Sequence, residues 1–318
     1  MIRALAITGP TASGKTALSL SVAKHFDGEI ISCDSMQIYR EMDIGTAKAT
    51  REEQAMIPHH LIDIISPLES YSAQNYRSDA IECAKEIVNR GKLPVFVGGT
   101  GLYIDSVIRP ISSESPESNL EYREKILQSI KNEDDVDALW KRLWEVDPES
   151  AEKIHKNNIQ RVIRALEIYD TTGKPKSLID KESLSIPSEV DVKMITIDFH
   201  DRENLYERVN KRVDLMVEEG LIEEVKGLYD RGLLAGKTAS QAIGYKEIVE
   251  FIEGKCSLCE AVDKLKISTR RYAKRQLTWF RHERDAVTIY ADTECGRLKS
   301  ADELISEAIE ICRNLISK

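Results

Sequence analysis

No stretch of the 318-residue chain approaches the roughly 18 to 20 consecutive apolar residues that a membrane helix needs, so no membrane partner is expected. Met1 leads straight into an apolar strand, with no charged leader and cleavage site ahead of it; the expectation is a cytoplasmic protein. Internal repeats and low-complexity tracts are missing, which leaves an ordinary globular chain, long enough for one large domain or two smaller ones. A hydrophobic content of 42% suffices for a sizeable core. Paired metal-ligand spacing is also missing. The six cysteines (Cys33, Cys83, Cys256, Cys259, Cys295 and Cys312) are scattered, and only Cys256 and Cys259 form a C-x-x-C pair. Ser257 and Glu260 read as a capping box there, so free thiols beside a helix start are preferred over a metal site. Acids outnumber bases, 54 to 45, and the net charge of −9 argues mildly against a nucleic-acid partner. One segment reverses that balance. Lys264, Lys266, Arg270, Arg271, Lys274, Arg275, Arg281 and Arg284 set eight cations against the single acid Glu283.

What is present is a phosphate-binding octapeptide. Gly9, Pro10, Thr11, Ala12, Ser13, Gly14, Lys15 and Thr16 fit G-x-x-x-x-G-K-[ST]. An apolar run, Ala4–Thr8, precedes the loop, and an amphipathic helical pattern over Ala17–Phe26 follows it. Small residues let backbone N–H groups converge on phosphate oxygens at a helix N-terminus, where the helix dipole favours an anion. Lys15 adds a full charge, and the Thr16 hydroxyl suits a Mg²⁺ shell. A di- or triphosphate ligand is expected.

Short β-rich runs alternate with helical patterns, the mark of a parallel sheet wrapped by helices. Strands are expected at Ala4–Thr8, Glu29–Ser32, Leu61–Ile65, Pro94–Val97, Met194–Phe199 and Val287–Tyr290. Helices are expected at Lys15–Phe26, Ala73–Arg90, Arg202–Glu218, Ile222–Arg231, Gln241–Glu253, Leu258–Phe280 and Ala301–Ile316. Ser112–Glu117 reads as a linker, and the pattern beyond it to about Ile186 is helical and acid-rich. The fold class is therefore α/β: a P-loop NTPase-like core over 1–113 and 187–318, with an all-helical insertion at 114–186. The insertion is either a movable clamp or a rigid extension of the core.

In an open parallel sheet, ligands bind beyond the carboxyl ends of the strands. Asp34 follows the second strand there, as a proton acceptor, a holder of Mg²⁺-bound water, or an Asx turn. Gly98–Tyr103 follows the fourth strand, with Thr100 offering a hydroxyl and the glycines permitting close approach. Arg208 and Arg212 share one helical face, suited to a departing phosphate or merely to solvent. In the insertion, Arg161 and Arg164 share a face while Val162, Ile163 and Leu166 pack inward. With the basic stretch near Tyr272, Trp279 and Phe280, two separated basic faces suit a folded RNA.

Together these motifs resemble one family. GPTASGKT (9–16), DSMQIY (34–39), DIGTAK (43–48), GGTGLY (98–103), QRVIRALE (160–167) and QAIGYKE (241–247) look like the tRNA dimethylallyltransferases, from the first strand to about Trp279. The resemblance implies prenyl transfer from dimethylallyl diphosphate to N6 of the adenosine 3′-adjacent to the anticodon. It assigns catalytic roles to Lys15, Thr16, Asp34, Thr100, Arg208 and Arg212, with Mg²⁺ at Thr16. It implies that the anticodon stem-loop touches Asp34, Ser35, Met36, Gln37, Thr100, Arg123, Gln160, Arg161, Val162, Ile163 and Arg164, and also Gln241, Ala242, Ile243, Gly244, Tyr245 and Lys246. The phosphates bound at the loop would belong to the prenyl donor rather than to ATP. No extension resembles the eukaryotic C-terminal zinc finger, which favours the bacterial type; a monomer is expected. Rival readings are a small-molecule kinase, an isopentenyltransferase acting on free adenylate, and a non-catalytic RNA-binding protein. The acid-rich insertion suits a kinase lid poorly, the basic helix favours tRNA over a mononucleotide, and intact Lys15, Thr16 and Asp34 speak against a vestigial loop.

Overall fold

The computed structural model describes residues 1–109, 119–283 and 285–316. The linker expected at Ser112–Glu117 and the cation Arg284 lie outside the described residues. The chain divides into two compact units, Met1–Ile108 with Val190–Lys318, and Arg109–Glu189.

The first unit is a six-stranded sheet with helices around it. In chain order it comprises β1 (Ile2–Thr8), α1 (Lys15–His25), β2 (Gly28–Ser32), α2 (Arg51–Met56), β3 (His59–His60), α3 (Ala73–Asn89), β4 (Leu93–Gly98) and α4 (Gly101–Ile108). The second unit intervenes with α5 (Leu120–Ser129), α6 (Glu133–Val146), α7 (Pro148–Lys153), α8 (Ile159–Thr172) and α9 (Lys176–Leu184). The first unit resumes with β5 (Val190–Asp198), α10 (Arg202–Glu218), α11 (Leu221–Asp230), α12 (Tyr245–Ile252), α13 (Leu258–Phe280), β6 (Ala286–Tyr290) and α14 (Ala301–Ile316).

The strand order is β3-β2-β4-β1-β5-β6, with every pairing parallel. Alternation along the strands builds a core on each face. Leu5, Ile7, Ile30, Val95, Ile195 and Ile197 join α1, α10 and α14 on one side, while Ala4, Ala6, Ile31, Phe96 and Met194 join α3 and α4 on the other. A third cluster lies among α10 to α13 and the segment after β2, and includes Ile38, Tyr39, Val213 and Tyr245. The register sets Thr8 beside both Gly98 and Thr196, so the loop after β1 emerges between the ends of β4 and β5. This is the carboxyl edge at which such sheets bind ligands. No helix among the described residues is long and apolar enough to cross a membrane.

Three sequence expectations need correction. The third strand is His59–His60, not Leu61–Ile65. Leu61 and Asp63 take left-handed backbone angles (φ 58 and 54), which break an extended run; Ile65 makes only an isolated bridge to Tyr39. The expected helix over Gln241–Glu253 starts at Tyr245, because Ala239–Gln241 is a 3₁₀ turn and Gly244, at φ 100, interrupts the path. Helix α1 ends at His25, with Phe26 as its C-cap; it buries Leu18, Val22 and Ala23 on one face, where α14 packs along it, and leaves Ala17 and Lys24 exposed on the other. Helices α10, α13 and α14 run over the residues expected. The capping box at Ser257 and Glu260 is formed, with Glu260 N–H donating to Ser257 Oγ at 3.3 Å and Ser257 N–H to the Glu260 carboxylate at 2.8 Å.

Candidate functional site

A cleft of about 420 Å³ opens at the carboxyl edge of the sheet, wholly within the first unit. Thr11–Thr16 form one wall. Gly14 caps α1 at φ 94, and Ala12 sits in the left-handed region at φ 62, an uncommon conformation for a residue with a Cβ. Arg208 Nε donates to the Ala12 carbonyl at 2.7 Å, which braces that peptide. Lys15 Nζ turns back to donate to the Pro10 carbonyl at 2.6 Å. Burial and then the neighbouring Arg212 cation bring the Lys15 pKa down to about 7, with Asp34 opposing both. The loop thus presents a cation that is held partly desolvated beside a second cation.

Asp34, Ser35, Met36 and Gln37 line the cleft from the end of β2. Asp34 Oδ1 accepts the Met36 N–H at 2.9 Å, so the residue forms the Asx turn and also faces the cleft near Lys15 and Arg212. Arg212 lines the cleft, and its buried Nε has no hydrogen-bond partner among the described residues. Arg208 and Arg212 therefore part company: Arg208 supports the loop from behind, while Arg212 is the arginine that lines the cavity. Thr100 does not line it. Its Oγ1 accepts the Ser35 N–H at 3.0 Å, which fixes the acidic loop to the turn after β4. Gly99 lies close against Gln276, and a Cβ there would sit 2.1 Å from Nε2 and push the carboxamide aside.

Gln241, Ala242, Ile243, Gly244 and Lys246 contribute a further wall. Tyr245 does not reach the cleft: it is fully buried, and its hydroxyl donates to Glu224 at 2.6 Å. The same carboxylate accepts the N–H groups of Asp43, Ile44 and Gly45 at 2.9, 2.7 and 3.1 Å. Gln37 closes this region by donating to the Thr46 and Ala47 carbonyls, while Ser32 Oγ donates to its Oε1 at 2.9 Å. The motifs at 34–39, 43–48 and 241–247 are one hydrogen-bonded body.

The insertion residues sort differently. Val162 and Ile163 are buried and pack as the helical pattern implies, so their side chains offer nothing to a partner. Arg123 and Arg164 do not project freely; both pair with the fully buried Glu167, at 2.8 and 3.0 Å. Gln160 and Arg161 are exposed. On α13, the acids that answer the basic stretch come from distant elements: Lys264 pairs with Glu250, Lys266 with Asp214, and Arg281 with Asp198. Arg271, Lys274 and Arg275 remain exposed, with no ion pair among the described residues. Tyr272 and Gln276 line the cleft, and sequence periodicity singled out neither for that position.

Among the described residues no group of three or more His, Cys, Asp or Glu is placed to hold a metal. Asp34 is the one carboxylate among the residues lining the cleft, and the hydroxyls beside it include those of Thr16, Ser13 and Ser35. Such a sparse oxygen set suits a Mg²⁺ that keeps waters and takes most of its ligands from a bound diphosphate.

The chain matches the IPP transferase family model over residues 37–283 and an isopentenyl transferase model over residues 2–63. The tRNA dimethylallyltransferase of Thermoanaerobacter sp. (strain X514) is 51% identical over 281 residues, spanning 88% of this chain and 89% of the relative. That of Bacillus mycoides (strain KBAB4) is 51% identical over 280 residues, 88% and 87% of the two chains. Among solved structures, the tRNA isopentenylpyrophosphate transferase from Bacillus halodurans superposes with a TM-score of 0.70 at 42% identity, covering 99% of this chain and 96% of that one. A eukaryotic dimethylallyltransferase acting on tRNA gives a TM-score of 0.82 at 30% identity, covering 100% and 80%.

Proposed function

The chain belongs to the IPP transferase family, and from that premise we propose how its cleft prenylates tRNA. The enzyme transfers a dimethylallyl group to tRNA. The kinase and free-adenylate readings are not favoured by any of these relatives. The finer reading is that the donor is dimethylallyl diphosphate and the acceptor is N6 of the adenosine 3′-adjacent to the anticodon.

One observation carries this reading: Lys15, Asp34 and Arg212 face a single cleft. Lys15 and the loop backbone would hold the diphosphate. N6 attacks the first carbon of the allyl group, a C–N bond forms, and the C–O bond to diphosphate breaks. Asp34 takes the N6 proton, and the departing diphosphate carries the electron pair away. An exocyclic amine is a weak nucleophile, so a positioned base is needed. Arg212, whose Nε is unpartnered among the described residues, would meet the developing charge, while Arg208 would keep the loop in shape. Mg²⁺ at the Thr16 hydroxyl would neutralise diphosphate charge when bound. The adenine must leave its stack to enter. Phosphates of the tRNA would meet Arg271, Lys274 and Arg275 on α13, and Gln160 and Arg161 of the insertion offer a second contact. We propose that the enzyme works as a monomer, and a tRNA substrate supports action in the cytoplasm.

The test is transfer of label from dimethylallyl diphosphate to unmodified tRNA with Mg²⁺, repeated with Lys15→Ala. Wild-type incorporation that the substitution abolishes supports the assignment. Undiminished incorporation by Lys15→Ala would remove the phosphate loop from the reaction.

A further inference from the structure

One polar side chain in the first unit is nearly buried, fully used, and absent from every motif discussed above. Gln276, 5% exposed on α13, accepts the Thr11 N–H on Oε1 at 2.9 Å and donates Nε2 to the Gly99 carbonyl at 2.9 Å. It thus ties the entry of the phosphate loop to the turn after β4. A buried carboxamide is costly unless both its ends are bonded, and both ends here are spent on loop peptides that border the cleft. The fit is tight, since a Cβ at residue 99 would sit 2.1 Å from Nε2. The backbone angle at Gly99 is not one that demands glycine, so the glycine answers to Gln276 and not to the turn. From that turn, Thr100 holds Ser35, the neighbour of Asp34. One glutamine therefore joins the loop of Lys15 to the loop of Asp34.

We propose that Gln276 is a positioning residue for the donor: by holding the Thr11 peptide against the turn at 98–101, it sets the register of the phosphate loop. This rests on the reading that the loop binds the donor's diphosphate. An ordinary packing residue at this place would affect stability alone. A positioning residue affects diphosphate affinity while sparing tRNA affinity, and its effect is shared with Gly99.

A double-mutant cycle of Gln276→Ala and Gly99→Ala separates these possibilities. The probe is magnesium pyrophosphate, titrated calorimetrically without tRNA; tRNA affinity and steady-state kinetics are measured alongside. Each single variant is expected to weaken pyrophosphate about tenfold, equivalent to ~1.4 kcal/mol, with tRNA affinity unchanged. KM for dimethylallyl diphosphate should rise in proportion while kcat stays within about threefold. The double variant should bind no worse than Gln276→Ala, because the added methyl then has nothing to displace. Wild-type pyrophosphate affinity in Gln276→Ala, additive losses in the double variant, or an equal loss of tRNA affinity would each overturn the proposal. If Gln276→Ala does not fold, Gln276→Met keeps the volume and removes both hydrogen bonds, and it is judged by the single-variant criteria: weaker pyrophosphate with tRNA affinity unchanged supports the proposal, and wild-type pyrophosphate affinity or an equal loss of tRNA affinity overturns it. Failure of the wild type to bind pyrophosphate would overturn the donor reading itself.

Discussion

Replacing Asp34 by Asn removes a charge and a base while leaving the local backbone in place. Asp34 uses Oδ1 to accept the Met36 N–H at 2.9 Å, and the amide oxygen of Asn accepts it equally well. The Ser35 N–H remains on Thr100, so the acidic loop keeps both its anchors. What is lost is the proton acceptor and the anion facing Lys15 and Arg212. A positioned general base contributes about 10²- to 10⁴-fold, which is ~2.7 to 5.4 kcal/mol on the barrier. Turnover should fall by at least about 100-fold, and tRNA affinity should hold. Single-turnover transfer of labelled dimethylallyl to unmodified tRNA isolates the chemical step. Asp34→Ala also frees the Met36 amide, so it should add a KM defect to a kcat loss of similar size. An Asp34→Asn enzyme with single-turnover rates within about threefold of wild type would refute the base assignment.

Other consequences follow from charges that the fold holds in place. Lys15→Met should stabilise the ligand-free protein. With the folded pKa near 7 against 10.5 unfolded, wild type carries its full penalty below pH 7 and loses it progressively toward pH 10.5. A shift of that size caps the gain at about 5 kcal/mol, and access to the cleft reduces the expected gain to ~1–2 kcal/mol. Denaturant titrations at pH 6.5 and 10 should show the advantage shrinking; an advantage that grows with pH would contradict the burial argument. In the insertion, Glu167→Ala removes the buried acceptor shared by Arg123, Arg164 and the Asn119 N–H and should cost about 1–3 kcal/mol, read as faster amide exchange over α5 and α8 while the sheet stays protected. Uniform loosening of both units would argue against a local role. Arg271→Glu with Lys274→Glu should weaken tRNA binding and flatten its salt dependence by roughly one to two phosphate contacts; an unchanged slope would return that face of α13 to solvent.

Local patterns carried much of this molecule into its sequence. The octapeptide at 9–16, the alternation of β1 and β4, and the ends of α10 and α13 depend on near neighbours, and they read directly. The third strand misled because apolar content at Leu61–Ile65 resembles a strand, while two left-handed residues bend it. The harder cases are side chains whose partners lie far along the chain. Gln276 meets Thr11 across 265 residues, and Glu224 meets Ile44 across 180, so neither leaves a periodic trace. Arg123 and Arg164 share the carboxylate of Glu167, whose burial nothing in the sequence signals. The basic stretch on α13 looked unopposed because its acids reside on β5, α10 and α12.

The most direct measurement is nucleoside analysis of products after incubating the enzyme with labelled dimethylallyl diphosphate, Mg²⁺, and unmodified tRNA and AMP in competition. The account predicts label in tRNA alone, recovered as N6-dimethylallyladenosine from the position 3′ to the anticodon. Label in AMP, or at any other nucleoside of the tRNA, would contradict it.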